Sequence, residues 1–245
     1  MVETLLAWYA ESGRELPWRH TRDPYAVLVS EVMLQQTQVA RVVERWERWI
    51  ARWPTAAALA HAPVADVLRE WVGLGYNRRA LRLREACAAV EQDGWPADLR
   101  SLPGVGPYTA AALRAFAFDE PVVPIDTNVA RVFARAGETM TGPPELGHAL
   151  MDLGATVCTA RAPRCGACPL TTCPSRGRVT EAPRRPGRAQ RFEDTDRYVR
   201  GRVVAALAAG EPLPAFPRKR LEPVLVALER DGLIARDGDV VALPA

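Results

Sequence analysis

Four cysteines lie close together near residue 165, and they constrain the structure of this chain more than any other feature. They follow the pattern C-x6-C-x2-C-x4-C, formed by Cys158, Cys165, Cys168 and Cys173. The first residues lack the basic and then apolar pattern of a secretory signal, so we expect a cytoplasmic protein whose clustered cysteines bind metal. A tetrahedral zinc ion and a [4Fe–4S] cluster both take four thiolates. Zinc modules usually have two tight cysteine pairs, and only one is present here, so the spacing favours the 4Fe-4S cluster.

Helical periodicity dominates residues 1–160, where no convincing strand is present. Apolar residues recur at helical spacing over 26–52, up to Pro54. Further helices are predicted at about 64–72, 77–93, 107–118, 126–137 and 144–156. No apolar run approaches the length that a membrane helix needs, so we expect no membrane partner. The sequence therefore predicts a mainly α fold for this region.

The C-terminal third has a different character. Residues 176–191 contain six arginines and one glutamate, interrupted by prolines, and we interpret 176–194 as an Arg/Pro-rich linker. Two amphipathic helices are predicted at about 195–209 and 218–231, followed by short strands around 233–236 and 240–243. Asp237-Gly238 between these strands is a hairpin signal. This order predicts a small winged-helix-like α+β unit over 195–245.

A glycine-containing turn separates two predicted helices at 102–110, in the sequence Leu-Pro-Gly-Val-Gly-Pro-Tyr-Thr-Ala. Gly104 and Gly106 precede a helix N-terminus, where free backbone N–H groups can bind an anion such as a DNA phosphate. Glycines allow the phosphate to approach the main chain. An ordinary tight connection between helices is the alternative.

Two carboxylates stand in contexts that suit acid–base chemistry. Glu31 lies in the string Ser30-Glu-Val-Met-Leu-Gln-Gln-Thr-Gln38, beside apolar residues whose burial would raise its pKa and suit a general acid. Asp126 follows the apolar stretch Val123-Pro-Ile and precedes a predicted helix. Its alternative interpretation is a helix N-cap, for which aspartate is well suited.

Together, these features resemble the endonuclease III superfamily of DNA glycosylases, and within it the adenine DNA glycosylases. The resemblance runs from about residue 16 to residue 173 and includes the strings LPWR, RDPY, SEVMLQQTQ, GLGY and MDLG. It implies a helix-hairpin-helix glycosylase domain over 1–175, made of two helical subdomains with an iron–sulfur loop. The six-helix subdomain would span about 22–123, and the cluster subdomain would combine residues 1–21 with 124–175.

The resemblance also implies an activity: hydrolysis of the N-glycosidic bond of adenine mispaired with 8-oxoguanine or guanine in double-stranded DNA, after the base is flipped out. Glu31 would protonate the purine, Asp126 would stabilise the cationic sugar, and Tyr108 and Asn128 would lie near them. The implied DNA contacts are a base contact by Arg19, wedges by Gln36 and Tyr76, and a contact of Thr37 with the opposite purine. The protein is expected to act as a monomer at the nucleoid.

The scarcity of lysine bears on the reaction type. Bifunctional members of this superfamily carry a hairpin lysine that forms a Schiff base, whereas Tyr108 occupies that position here. Lys219 is the only lysine among 32 basic residues, so we predict a monofunctional enzyme without efficient lyase activity. The net charge of +3 is too small to indicate a nucleic-acid partner by itself.

The sequence departs from the family pattern in three places, and two alternatives stay open. The last cysteine spacing is one residue short, the segment from Asp126 to Cys158 is also short, and 176–245 is too small for the family's Nudix-like domain. A thymine-mismatch glycosylase can also carry tyrosine in the hairpin, although an acid such as Glu31 suits a purine leaving group better. A non-enzymatic iron–sulfur DNA-binding regulator would suit the C-terminal unit, although the two carboxylates argue against it.

Overall fold

The computed structural model describes residues 1–179, 190–238 and 240–244, and over these residues it is mainly helical. The helices are α1 (Val2–Ser12), α2 (Pro24–Leu34), α3 (Val39–Arg52), α4 (Ala56–Ala60), α5 (Val64–Trp71), α6 (Arg78–Asp93), α7 (Pro107–Phe116), α8 (Thr127–Ala136), α9 (Pro144–Asp152), α10 (Asp196–Ala209) and α11 (Arg218–Arg230). The strands are β1 (Ala235–Asp237) and β2 (Val240–Ala242). The predicted mainly α fold is confirmed, and no described helix is both long and apolar enough to cross a membrane.

The prediction of one continuous helix over 26–52 is wrong, because the helix is interrupted. The chain forms α2 and α3 separately, and residues 35–38 turn between them. Gln36 takes a left-handed conformation with φ 55°, which no helix interior accommodates. Apolar spacing reports which face is buried, so it continues across the break and does not reveal it. The helix α1 and the short helix α4 were also not predicted.

The described residues group into two compact units. Unit 1 contains Met1–Glu31 and the described residues of Val105–Pro186, and unit 2 contains Val32–Gly104 and the described residues of Gly187–Ala245. The predicted domain boundaries differ from this grouping and stay a prediction. Ten residues of the predicted linker, 180–189, lie outside the described residues.

The core of unit 1 is formed where α1 and α8 pack against α9. Fully buried aliphatic side chains from these helices fill it, including Leu5, Val129, Leu146 and Leu150. Burying side chains of this size stabilises a fold by about 1.5–3 kcal/mol each. This core fixes the first turn of α8, which carries two residues of the candidate site.

Unit 2 has a core of tryptophans and aliphatic side chains. Trp49 makes edge-to-face contacts with Trp53 and Trp71, with ring centroids 4.7 Å and 5.5 Å apart. The helix α10 packs on α5 and on α11. Val199 and Val203 on α10 and Leu228 on α11 are fully buried. The C-terminal helices therefore share a compact unit with residues 32–104.

The small sheet has the predicted position and type. Strands β1 and β2 are antiparallel, with Arg236 opposite Val241. They begin close to the predicted strands and follow two helices, so the helix–helix–hairpin order is confirmed. One residue of the predicted turn, 239, lies outside the described residues.

Candidate active site

Glu31 is a buried carboxyl group near the end of α2, with 6% of its surface exposed. Burial, and then the negative charge of Asp126, raise its pKa to about 7. A hydrogen bond donated by Tyr108 and the positive charge of Arg19 oppose this rise. Near neutral pH the group is therefore distributed between its protonated and ionised forms, as a general acid requires.

Asp126 is the N-cap of α8, so its structural interpretation is confirmed. Its Oδ1 accepts hydrogen bonds from the backbone N–H groups of Asn128 at 2.8 Å and Val129 at 2.7 Å. Its Oδ2 accepts a further hydrogen bond from Asn128 Nδ2 at 2.9 Å. The positive end of the helix dipole also favours negative charge here. These bonds hold a second carboxylate in a fixed position close enough to influence Glu31.

Tyr108 completes this group from the first turn of α7. Its pKa is raised by burial and then by the negative charges of Glu31 and Asp126, so the hydroxyl stays neutral and acts as a donor. The hydroxyl also lies 4.0 Å from Met151 Sδ. The structure thus brings together the predicted residues Glu31, Asp126, Tyr108 and Asn128; their roles stay predictions.

Arg131, which the sequence analysis missed, connects this group to the cysteine segment. Its Nη2 donates to Asn128 Oδ1 at 2.7 Å and to the carbonyl oxygen of Gly154 at 2.6 Å, and its Nε donates to the carbonyl oxygen of Cys158 at 2.8 Å. Gly154 lies in a π-helical turn, Leu153–Val157. A Cβ added there would lie 2.6 Å from Asn128 Cβ, so only glycine allows this approach.

Arg19 is bound to a buried carboxylate. Its Nη1 and Nη2 donate to the two oxygens of Asp152 at 2.8 Å and 2.7 Å, and the Asp152 side chain has no exposed surface. Arg14 donates to the same carboxylate through its backbone N–H and its Nε. Bidentate pairing of this kind fixes the guanidinium plane. The predicted base contact by Arg19 stays a prediction, and Asp152 was missed although its MDLG string had been noted.

A cavity of about 350 Å³ lies beside this ion pair in unit 1. Arg19, Trp18, Phe116 and His148 are among the residues that line it. The His148 and Phe116 rings stack with centroids 3.8 Å apart. Burial, followed by the charge of Arg19, lowers the pKa of His148 to about 3, so this histidine is neutral at physiological pH.

The four cysteines of the predicted metal site line one small apolar cavity together with Val157 and Leu170. Arg135 Nη1 donates to Cys158 Sγ at 3.4 Å, and the Cys173 thiol donates to the Arg135 carbonyl oxygen at 3.1 Å. Burial raises the pKa of Cys168, and so do the neighbouring Cys158 and Cys173. Four thiolates this close need a cationic group to offset their repulsion, so the donor set fits an iron–sulfur group.

The predicted DNA contacts of unit 2 lie on two adjacent turns. Gln36 and Tyr76 are exposed and left-handed, with φ 55° and 47°. Arg79 joins the two turns, because its Nη2 donates to Thr37 Oγ1 at 3.3 Å and to the carbonyl oxygens of Leu74 and Gly75 at 3.0 Å each. Thr37 is therefore held by the protein itself. Sequence reasoning missed Arg79, one arginine among many.

The predicted hairpin glycines differ in their surroundings. Gly104 has φ 79°, and a Cβ there would lie 2.9 Å from Arg82 Cβ. Gly106 is the N-cap of α7, has an ordinary φ of −90°, and has no atom within 4 Å of where a Cβ would lie. The open space at Gly106 is what a backbone site for an approaching phosphate requires.

Two family models match this chain. Residues 29–153 match the model described as "HhH-GPD superfamily base excision DNA repair protein", and residues 158–172 match the "iron-sulfur binding domain of endonuclease III". The second match covers three of the four cysteines and ends one residue before Cys173. An iron–sulfur binding domain is therefore present.

Curated relatives and solved structures agree with these matches. The adenine DNA glycosylase of Mycobacterium tuberculosis is 46% identical over 89% of this chain and 80% of that protein. The human adenine DNA glycosylase is 39% identical over 73% of this chain and 40% of that protein. A thermostable thymine-DNA glycosylase has a TM-score of 0.65 and 27% identity, covering 70% of this chain and 92% of that one. A non-covalent endonuclease III–DNA complex has a TM-score of 0.59, covering 71% of this chain and 92% of that one, and its 24% identity shows the fold alone.

The fold and the site thus define a helix-hairpin-helix base excision DNA repair protein of the HhH-GPD superfamily. Within that superfamily, the chain belongs to the adenine DNA glycosylase family.

Proposed function

We propose that this protein hydrolyses the N-glycosidic bond of adenine mispaired with 8-oxoguanine or guanine in double-stranded DNA, leaving an abasic site. The observation that carries the proposal is the buried Glu31 carboxyl, whose pKa is raised to about 7, beside the fixed carboxylate of Asp126. The two groups divide acid catalysis and charge stabilisation between them, as paired carboxylates do in glycoside hydrolysis.

In the proposed reaction, protonated Glu31 donates its proton to a ring nitrogen of the flipped adenine. The bond between the sugar C1′ and the purine then breaks, and its electron pair leaves with the neutral base. Asp126 stabilises the positive charge that develops on the sugar. Water adds its hydroxyl to C1′, and its remaining proton restores the acid form of Glu31. Tyr108 and Asn128 hold the two carboxyl groups in place.

A thymine-mismatch activity is the second candidate, because a thymine-DNA glycosylase is among the similar structures. The two are separated by incubating the protein with duplexes that carry A:8-oxoguanine, A:G or T:G, followed by alkali cleavage. We expect cleavage at adenine in the first two duplexes. Release of thymine alone would contradict the proposal.

We further propose that the enzyme does not cut the DNA backbone. The hairpin position at the start of α7 holds Tyr108, whose neutral hydroxyl does not form a Schiff base, and Lys219 lies on α11. Without alkali, strand cleavage should stay at background, and borohydride should trap no covalent complex with DNA. A trapped complex would overturn this aspect of the proposal.

We propose a [4Fe–4S] cluster as the metal group, held by Cys158, Cys165, Cys168 and Cys173. The match of residues 158–172 to an iron–sulfur binding domain, together with the single tight cysteine pair, supports this cluster over zinc. When bound, the cluster cross-links these segments. A brown protein with four irons per chain is expected; one zinc per chain would contradict this assignment.

The protein should act as a monomer in the cytoplasm, at the nucleoid.

A further inference from the structure

Unit 2 contains a groove that the catalytic site does not use. It lies between the segment Val72–Arg79 and the helix α10, with a volume of about 810 Å³, and we call it the α10 groove. Leu74, Val204, Leu228 and Leu233 contribute its apolar surface. Its size suits a nucleotide-sized occupant.

The charge of the α10 groove is entirely positive. Its lining includes six arginines and no carboxylate: Arg41, Arg78, Arg79, Arg197, Arg200 and Arg202. Asp231 lies 2.6 Å from Arg200 and 3.5 Å from Arg78, so those two are compensated. Over the residues that the structure describes, Arg41, Arg197 and Arg202 are exposed and form no ion pair. Three uncompensated cations, one on α3 and two on α10, therefore line one groove, which suits a polyanion.

An aromatic side chain with cations around it stands at the edge of the α10 groove. Tyr76 is 39% exposed, and the Arg197 guanidinium lies 4.0 Å from its ring centroid. Arg197 also lies 5.8 Å from the Phe192 ring. Arg79 lies 5.7 Å from the centroid of the same Tyr76 ring. Exposed rings with stacked guanidinium groups are a common platform for nucleic-acid bases.

The two guanidinium groups near Tyr76 repel each other. Burial lowers the pKa of Arg79 to about 10, Tyr76 opposes this, and the positive charge of Arg197 lowers it further. Arg79 cannot move away, because it donates to the carbonyl oxygens of Leu74 and Gly75. An anion bound beside Arg197 would remove this unfavourable interaction.

We propose that the α10 groove binds the sugar–phosphate backbone of one DNA strand, with Arg41, Arg197 and Arg202 contacting phosphates and Arg197 positioning the Tyr76 ring against a base. The inference rests on the proposed function for the identity of the DNA as a mispaired duplex. It assigns the C-terminal helix α10 to DNA binding. Phosphodiester DNA is the occupant because it combines regularly spaced anions with flat apolar bases.

The test measures binding of the full-length protein to a labelled A:G duplex over a range of salt concentrations. The variant R41A/R202A should lower the steepness of the salt dependence by about 2, since each lost phosphate contact lowers it by about 1. The matched control is R230A, whose side chain is 77% exposed and lies outside the groove lining. Thermal unfolding of each variant checks its fold, and R202E provides a second variant if the double one is unstable.

The positioning role of Arg197 has its own readout. A 2-aminopurine beside the mispair reports stacking of an inserted ring, and Y76A defines the signal without the ring. At saturating protein, R197A should lose most of the fluorescence change, whereas R41A/R202A should keep it. R197K should restore the salt dependence and some of the fluorescence change, because lysine keeps the charge but stacks less well.

The outcomes separate this inference from the proposed function. If the wild type releases adenine while R41A/R202A binds DNA like R230A, the groove proposal is wrong and the function stands. If R41A/R202A lowers the salt dependence as expected but the wild type releases no adenine, the function is wrong and the groove proposal stands. The proposal would also be overturned if an acidic protein bound the groove while mutation of the groove arginines left DNA binding unaffected.

Discussion

The active site of unit 1 and the α10 groove of unit 2 use charged residues in opposite ways. In unit 1, Asp126, Arg19 and Asp152 each have short hydrogen bonds to named partners, and Glu31 is buried among them. In the groove, Arg197 and Arg202 are exposed and have no acidic partner among the described residues. Buried charged groups held in fixed positions suit the breaking of a covalent bond, whereas solvent-exposed cations suit the binding of a flexible polyanion.

This difference teaches that rate and affinity should be separable in this protein. Changes at Glu31 and Asp126 should act on the chemical step with little effect on DNA affinity, and changes at the groove arginines should do the opposite. The family match covers residues 29–153, which belong to both units, and it leaves α10 and the two strands outside.

Glu31→Gln should have the largest effect. The amide keeps the size of the side chain and can accept the Tyr108 hydrogen bond, but it has no acidic proton to transfer to the base. We expect the single-turnover rate of adenine release to fall by about 10²–10⁴, with unchanged DNA affinity. The exposed Glu47 on α3 offers a matched control, Glu47→Gln. A weaker affinity with an unchanged rate would contradict the comparison.

The same carboxyl group sets the pH dependence of the wild type. Its pKa is raised from 4.5 to about 7, so the active protonated form is lost above that value and the rate should fall about tenfold per pH unit there. Folded protein binds this proton more tightly than unfolded protein. The stability that Glu31 contributes is therefore present below its ordinary pKa of 4.5 and is lost between about 4.5 and 7. Glu31→Gln should abolish both effects, as measured by rates and thermal unfolding at pH 5 and 8.

Asp126 allows its two roles to be separated, with the next largest effect. Asparagine is also a good N-cap, so Asp126→Asn should leave the free energy of unfolding nearly unchanged while the rate falls by about 10²–10³. Asp126→Ala should lose the same rate and about 1 kcal/mol of stability as well. Chemical denaturation of both variants measures the free energy of unfolding, and single-turnover assays measure the rate of adenine release. If Asp126→Asn released adenine as fast as the wild type, Asp126 would be a helix N-cap without a role in the reaction.

The sequence predicted the centre of the active site better than its surroundings. Glu31, Tyr108, Asp126 and Asn128 stand in short strings with ordinary helix signals. The helices α7 and α8 formed close to the predicted bounds, whereas α2, which carries Glu31, ends well before the predicted run does. The partners Asp152, Arg131 and Arg79 were missed, because their contacts join distant segments. Arg19 and Asp152, for example, are 133 positions apart. With arginine supplying nearly all 32 basic residues, no single guanidinium stands out by composition. The break at Gln36 was missed because it interrupts the backbone without interrupting the apolar pattern.

Salt should act on binding and leave chemistry alone. If the three groove arginines each contact a phosphate, affinity should fall about 40-fold between about 50 and about 200 mM salt. The rate at saturating protein should hardly change, because buried charges such as Glu31 are poorly screened. Binding isotherms and single-turnover rates on the same duplex measure both quantities. A rate that falls in parallel with affinity would show that the two regions are not separable.

The hairpin glycines provide the smallest effect and the finest comparison. Gly104→Ala should cost about 1–2 kcal/mol of folding stability, because its φ of 79° strains an alanine and the added Cβ meets Arg82 at 2.9 Å. Gly106→Ala should leave stability nearly unchanged, since its φ is ordinary and the space beside it is open. If that space receives a DNA phosphate, however, Gly106→Ala should weaken duplex binding several-fold at constant stability. Denaturation and binding measured on both variants distinguish a glycine needed by the fold from one needed by the DNA. Unchanged binding by Gly106→Ala would mean that the phosphate does not approach α7 at this position.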